Sequence, residues 1–252
     1  MVEIFILSII QGVTEFLPIS SSSHLIIASD FIDFKNQTLQ LDVSLHVGSF
    51  LAVVAFFHKD LINFVKNKDL FLKIFMSSIP IMIVGYLLVK FELIDSLRNL
   101  KIIGWTTIIF GILLFISDKS KINKKLDNKF SLKSAIFIGF FQILSLIPGV
   151  SRSGISITAS RICNYNRFDS AKISFLLSIP TLAAVSFFGI RNLIITDNLI
   201  FSKINILAIV LSFIFSYITI KFFLGYIKKF SLNVFVIYRI ILGIFLLLYA
   251  YL

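Results

Sequence analysis

A chain of 252 residues, 58% of them hydrophobic and with a mean hydropathy of +0.97, is too apolar for a water-soluble domain of its size, where about half apolar is usual. The net charge of +11 is spread over short loops between apolar runs, with no basic helix or aromatic-interleaved patch, so nucleic-acid binding is not expected. The one cysteine, Cys163, excludes an internal disulfide and a multi-cysteine metal site and reads as a small residue near a helix end.

The amino terminus, MVEIFILSII, has no basic stretch before its apolar run and no small-residue cleavage site after it, so no removed signal peptide is expected. Residues 1–29 are apolar at both ends but carry Glu15, Pro18 and a serine run between them, which predicts two half-helices meeting at a polar tip. Three apolar runs follow near 43–58, 70–90 and 101–117, each close to the about 20 helical residues that cross a bilayer. The first is short and ends at His58, which reads as a loop residue. Residues 132–163 repeat the interrupted pattern, and three more spans lie near 173–190, 205–223 and 234–252. The predicted fold is an all-α polytopic membrane protein, a single integral domain over 1–252, with six transmembrane helices and two re-entrant helical hairpins. Irregular backbone at membrane depth survives only where protein or a water-filled cavity satisfies it, so the hairpins imply a buried polar site.

Charge places the loops. If each hairpin returns to the side it entered from, one side holds fifteen basic residues, among them Lys59, Lys66, Lys68, the six lysines from Lys119 to Lys133, Arg161, Arg167, Lys172, Lys221, Lys228 and Lys229. The other side holds six, namely Lys35, Lys90, Arg98, Lys101, Arg191 and Lys203. The richer side is expected to be cytoplasmic. The first hairpin then enters from outside and the second from the cytoplasm, so they point at each other. Self-similarity agrees: QGVTEFLPIS (Gln11 to Ser20) resembles QILSLIPGVS (Gln142 to Ser151), and FMSSIP (Phe75 to Pro80) resembles FLLSIP (Phe175 to Pro180). Inverted-topology repeats, about 1–117 and 132–252, are the reading these facts support.

Of thirteen acidic residues only Glu3 and Glu15 fall clearly inside apolar segments, where an ionisable group costs at least about 2.5 kcal/mol. Glu3 can reach the interface from the chain start. Glu15 lies one helical turn after Gln11, on the same face, just before Pro18 ends the helix. Ser20, Ser21, Ser22, Ser23 and His24 follow, so hydroxyls and an imidazole gather next to a carboxylate, the material for nucleophilic and acid–base chemistry. A serine run by itself is more often glue between helices, and a lone carboxylate can hold helices together as half of an ion pair.

In the second hairpin Pro148, Gly149, Ser151, Arg152, Ser153, Gly154 and Ser156 form a small-residue turn around one arginine. A guanidinium fork, close backbone amides and a following helix start make a phosphate cradle in outline. A structural ion pair with Glu15 is the plainer reading of Arg152, and it does not exclude the first. His46 reads as a satisfied interfacial histidine near Asp42, although it could line the cavity. Trp105 and the seven tyrosines read as interface anchors or packing.

QGVTEFLPISSSSH, LHVGSFLAVVAFF and PGVSRSGIS, in that order along the whole chain, resemble the undecaprenyl-diphosphatase family, also called bacitracin-resistance proteins. The resemblance implies hydrolysis of undecaprenyl diphosphate to the monophosphate, which recycles the lipid carrier of cell-wall precursors, at the outer face of the bacterial cytoplasmic membrane. It also implies a divalent cation, Mg2+ or Ca2+, with Glu15 as its carboxylate. Carried onto matching positions, Ser20 and Ser21 are the paired serines, His24 the histidine, and Ser151, Arg152 and Ser156 the phosphate-binding turn. Gln11 stands where some members have a second glutamate, which counts against a two-carboxylate metal site. Ser23 stands where glycine usually precedes the histidine, so a different backbone geometry is expected at that turn.

The expected mechanism is in-line attack by Ser21, with His24 as general base and then acid, and Arg152 stabilising the phosphoryl oxygens. Gln11, Ser20, Ser151, Ser153 and Ser156 are expected to line the substrate. In the alternative, His24 or Glu15 activates water directly and Ser21 only donates a hydrogen bond. The rival class is a transporter or lipid flippase built on the same midplane anion site, and a structural membrane subunit is the blandest reading. A homodimer is left open.

Overall fold

The computed structural model describes residues 2–32, 39–66, 68–91, 93, 97–120, 124–126, 130–195 and 203–252. Lys35, Lys121 and Lys129 of the charge count lie outside them. Eleven helices are described: α1 (Val2–Thr14), α2 (Ser21–Ile32), α3 (Leu39–Phe56), α4 (His58–Lys66), α5 (Lys68–Lys90), α6 (Leu100–Asp118), α7 (Leu132–Ile143), α8 (Arg152–Ile162), α9 (Arg167–Ile195), α10 (Lys203–Ile227) and α11 (Asn233–Tyr251). Among the described residues the one β-type contact is an isolated bridge between Lys124 and Tyr165.

The six long helices α3, α5, α6, α9, α10 and α11 are long and apolar enough to cross a membrane, as the hydropathy pattern predicts. Two begin well before their apolar runs, the other four within two residues of theirs. The α3 helix starts at Leu39 because its polar side chains bond within the helix: Ser44 Oγ donates to the Gln40 carbonyl and His46 Nδ1 to that of Asp42. The α9 helix starts at Arg167, where Asn166 Oδ1 accepts from the Asp169 amide and Asn166 Nδ2 reaches the Asp169 carboxylate, a reciprocal cap. His58 is a correction: it opens α4 instead of lying in a loop, its Nδ1 donating to the Ala55 carbonyl left free at the end of α3.

Pro80 and Pro180 sit inside α5 and α9. Each removes one helical hydrogen bond, and hydroxyls bond back to carbonyls of the preceding turn: Ser77 and Ser78 in α5, Ser178 and Thr181 in α9. The two Pro-bearing motifs therefore share a local structure. They fall on the second long helix after the first hairpin and the first long helix after the second, so in that order they are not counterparts.

The interrupted segments are the short helix pairs α1–α2 and α7–α8. Thr14 ends α1, and the turn from Glu15 through Pro18 leads to Ser20 at φ 75°, directly before α2. On the other side α7 tightens into one 3₁₀ turn, Leu144–Leu146, and passes through Gly149 at φ 93° and Ser151 at φ 70°, directly before α8. Ser20 and Ser151 are the aligned final residues of the two similar sequence segments. Positive φ costs a non-glycine residue of order 1 kcal/mol or more, so the shared conformation is a built feature of both elbows.

Close approaches set the elbows' height against the long helices. A Cβ on Gly12, near the end of α1, would meet the Ser216 amide at 2.9 Å, near the middle of α10; a Cβ on Gly139, in α7, would meet the Ser77 carbonyl at 2.5 Å, near the middle of α5. The molecule's outside carries large exposed apolar residues such as Phe187, Ile241 and Phe222, while serines, Gln11, Gln142, Arg161 and Arg239 are buried inside. That arrangement suits lipid as solvent.

Candidate active site

Glu15 is 7% exposed and accepts three hydrogen bonds. Gln11 Nε2 donates to Oε2 at 3.0 Å, Ser21 Oγ donates to the same oxygen at 2.7 Å, and Arg152 Nη2 donates to Oε1 at 2.8 Å. The i, i+4 spacing of Gln11 and Glu15 supplies the first contact, and the Pro18 turn folds Ser21 back for the second. The third joins the two elbows, so the sequence segments 11–24 and 148–156 form one site. Ser153 Oγ adds a second link by donating to the Leu17 carbonyl at 2.7 Å.

Each remaining expected residue has a definite place. Ser20 Oγ lies 3.0 Å from Ser23 Oγ and 3.3 Å from Ser22 Oγ. Ser151 Oγ accepts from the Gly154 amide and contacts Ser153 Oγ, capping α8. Ser156 lies one turn beyond Arg152, fully buried, and its hydroxyl has no partner among the described residues. Gln11 Oε1 is likewise buried without one. Arg152 Nη1 is 3.5 Å from the Ser174 carbonyl, which leaves further N–H groups of its fork available to an anion. The starts of α2 and α8 both lie at the elbows, where helix amides favour negative charge. Ser23 has no positive φ and sits within α2, while the residue at positive φ is Ser20.

His24 is in the site but not on Ser21. Its Nδ1 donates to the Ser20 carbonyl at 2.6 Å, which leaves Nε2 of the neutral ring as an acceptor for the Tyr238 hydroxyl, also at 2.6 Å. The rings lie nearly parallel, 11° apart. His46 is satisfied by the Asp42 carbonyl, as its plainer reading holds. Burial pushes the Cys163 thiol up, opposite to what an activated thiolate needs.

The contribution of α11 to the site was not expected from the sequence, although the helix itself was. Tyr238 reads from the sequence as one of the anchoring tyrosines, and Arg239 carries no motif like the small-residue turn that singles out Arg152. Arg239, in the middle of a predicted span, is fully buried and bonds to the carbonyls of Pro18, Gly149, Val150 and Thr107. Applying the same rule to bases would have found it. A second buried cluster ties one end of the bundle: Asp118 accepts two bonds from Arg167 and one from the Leu232 amide, while Arg161 reaches the Asp118, Ser120 and Tyr165 carbonyls.

Fold and site together define a multi-pass helical membrane protein with a carboxylate, hydroxyl, imidazole and guanidinium group assembled in its interior. The chain belongs to the bacitracin resistance protein BacA family, whose profile matches residues 4–245. It is 52% identical over 251 residues to an undecaprenyl-diphosphatase of Pelagibacter ubique (strain HTCC1062), covering 99% of this chain and 98% of that one. Proteins of the same name from Jannaschia sp. (strain CCS1) and Saccharophagus degradans are 37% and 38% identical; the matches cover 98% of both chains for the former, and 94% of this chain and 93% of the relative for the latter.

Proposed function

We infer that this chain hydrolyses undecaprenyl diphosphate to undecaprenyl phosphate and inorganic phosphate, the activity its relatives are named for, and thereby recycles the cell-wall lipid carrier and supports bacitracin resistance. The observation that carries the mechanism is the Ser21 hydroxyl 2.7 Å from Glu15, with Arg152 on the carboxylate's other oxygen. Nucleophile, proton acceptor and anion clamp stand in one contact set.

Ser21 Oγ attacks the terminal phosphorus and its proton passes to Glu15. The bond from that phosphorus to the bridging oxygen breaks, and undecaprenyl phosphate leaves with the electron pair. Water then cleaves the phosphoserine, with Glu15 returning its proton to Oγ and His24 Nε2, once it releases the Tyr238 hydroxyl, taking the proton of the water. His24 is given this second half because it lies three residues beyond Ser21 on α2 and does not bond to the Ser21 hydroxyl. Arg152 exchanges Glu15 for the phosphoryl oxygens, assisted by the amides that open α2 and α8. In the alternative that remains within this site, Glu15 activates water and Ser21 only donates a hydrogen bond.

The family resemblance brings Mg2+ or Ca2+, which the side chains alone are poorly equipped to hold. Among the described residues no three His, Cys, Asp or Glu side chains come together. Both Glu15 oxygens already have donors, and among the described residues of the site the unpartnered buried oxygens are Gln11 Oε1 and Ser156 Oγ. A resident cation site does not fit this donor set, and a cation would need oxygens of the diphosphate itself.

For orientation, the basic-rich loops are taken as cytoplasmic and the site as opening to the outer face of the bacterial cytoplasmic membrane. Contacts among the basic-rich segments support their lying on one side: Lys172 pairs with Asp60 at 2.7 Å, and Lys228 lies over the Phe168 ring at 4.8 Å. The reading of α1–α2 and α7–α8 as re-entrant hairpins in inverted repeats is supported by their matching elbows and mid-helix contacts. A transporter or flippase is not favoured, because the relatives are named for hydrolysis and the site holds a hydroxyl on a carboxylate.

Purified protein given a polyprenyl diphosphate, with and without chelator, is expected to release phosphate, and Arg152→Ala to release almost none. Absence of phosphate release under every cation condition would sink the assignment.

A further inference from the structure

Arg239 is 0% exposed, and its described hydrogen bonds all go to backbone carbonyls: Nε to Thr107 at 3.2 Å, Nη1 to Pro18 at 3.4 Å, and Nη2 to Gly149 at 2.9 Å and Val150 at 3.1 Å. Among the described residues no carboxylate pairs with it. Burying a guanidinium in a membrane interior without a counter-ion is costly, so a packing role that an apolar side chain could fill does not account for it. The surroundings are shaped to admit it. A Cβ on Gly111 of α6 would lie 3.2 Å from Arg239 Cβ, and one on Gly154 of α8 would lie 2.9 Å from Nη1. Two glycines on two helices thus form the slot through which the side chain reaches from α11 to the elbows.

Its acceptors belong to both halves of the site. Pro18 is two residues before Ser20 and three before Ser21, while Gly149 and Val150 directly precede Ser151 and Arg152. Both turns carry a serine at positive φ, a conformation that persists only where surrounding contacts over-determine it. The planar fork of one guanidinium can bond in several directions at once, and a lysine ammonium on a flexible stem cannot hold the same set. Its donors are turned to these carbonyls, so Arg239 is not placed to bind phosphate directly.

We propose that Arg239 is a positioning residue for the diphosphatase reaction: it fastens the elbow that carries the Ser21 nucleophile to the elbow that carries the Arg152 clamp. The proposal rests on the function inferred above. Arg152 and the helix amides remain able to bind the diphosphate without Arg239, but the nucleophile and the phosphorus lose their alignment. Misplacement of about 1 Å can cost on the order of 10²-fold in rate. The effect therefore falls on kcat and leaves KM comparatively unmoved.

The test compares wild type, Arg239→Lys, Arg239→Gln and Gly111→Ala in two measurements: kcat and KM for phosphate release from a polyprenyl diphosphate, and backbone hydrogen exchange without substrate. Expected are a kcat loss of about tenfold or more in both Arg239 variants, no rescue by lysine, and faster exchange confined to residues near 18–22 and 148–153. Gly111→Ala, which crowds the side chain without removing it, is expected to shift both readouts in the same direction, and it decides the matter if the Arg239 variants do not fold. Wild-type kcat with unchanged elbow exchange in any folded Arg239 variant overturns the proposal, as does an Arg239→Lys variant equal to wild type. Because exchange is read without turnover, faster elbow exchange in a protein that releases no phosphate would fault the inferred activity and leave the fastening intact.

Discussion

Glu15 and Arg152 are 137 positions apart in sequence and 2.8 Å apart in space, and both are largely withdrawn from solvent. Their contact makes one site of two chain segments that each, alone, would be a polar flaw in an apolar helix. The pair also fixes what each partner must do when substrate arrives: the guanidinium has somewhere better to go, and the carboxylate keeps the Ser21 proton within reach.

Arg152→Lys keeps the charge and discards the planar fork. It is expected to reduce kcat/KM for polyprenyl diphosphate by on the order of 10²-fold, about 2–3 kcal/mol, because one ammonium cannot bridge two phosphoryl oxygens in the same geometry. Steady-state phosphate release checks this, and near wild-type activity would mean that the charge alone matters.

Tyr238→Phe removes the hydroxyl that holds His24 Nε2 and keeps the stacked ring. A lost hydrogen bond of about 1 kcal/mol predicts a loss of roughly fivefold in kcat with the thermal midpoint little changed. A pH–rate profile should move as well, since the imidazole loses its partner; an unmoved profile would place Tyr238 among packing residues.

Gly139→Ala puts a Cβ 2.5 Å from the Ser77 carbonyl oxygen, whereas a Cβ on Gly225 meets nothing within 4 Å. Thermal melting in detergent should separate them. Gly139→Ala is expected to cost about 1–3 kcal/mol by forcing α7 from α5, and Gly225→Ala to be neutral or stabilising by up to about 1 kcal/mol.

Asp118→Asn leaves Arg167 without its two charge-assisted bonds and Arg161 without its nearby carboxylate. Removing one partner of a buried pair predicts a loss of about 3–5 kcal/mol, read as a lower melting midpoint, with kcat of the folded fraction little affected because the cluster lies away from the elbows. A selective loss of kcat at unchanged stability would contradict that separation.

The long helices were legible because about 20 apolar residues in a row have few alternatives, and the elbows were legible because Pro18, Pro148 and Gly149 interrupt such runs. Glu15 and Arg152 stood out as charges with no route to water. Helix starts were less legible: the Ser44 and His46 bonds inside α3 and the Asn166–Asp169 cap of α9 hide polarity that a hydropathy reading counts against a helix. The partner of Ser21 was not legible at all, because serine and histidine three residues apart in sequence suggest each other, while the turn at Ser20 gives Ser21 to Glu15 and leaves His24 to Tyr238. Arg239 shows a further limit. Its meaning lies in four carbonyls from three chain segments, which no spacing pattern records.

The central claim is that Ser21, activated by Glu15, carries the phosphoryl group. Rapid quenching of the protein with a polyprenyl diphosphate labelled on its terminal phosphate, followed by peptide mass spectrometry, tests it most directly. Wild type is predicted to carry the label on Ser21, while Ser21→Ala neither takes the label nor turns over above background. Turnover by Ser21→Ala at a sizeable fraction of the wild-type rate would contradict the account.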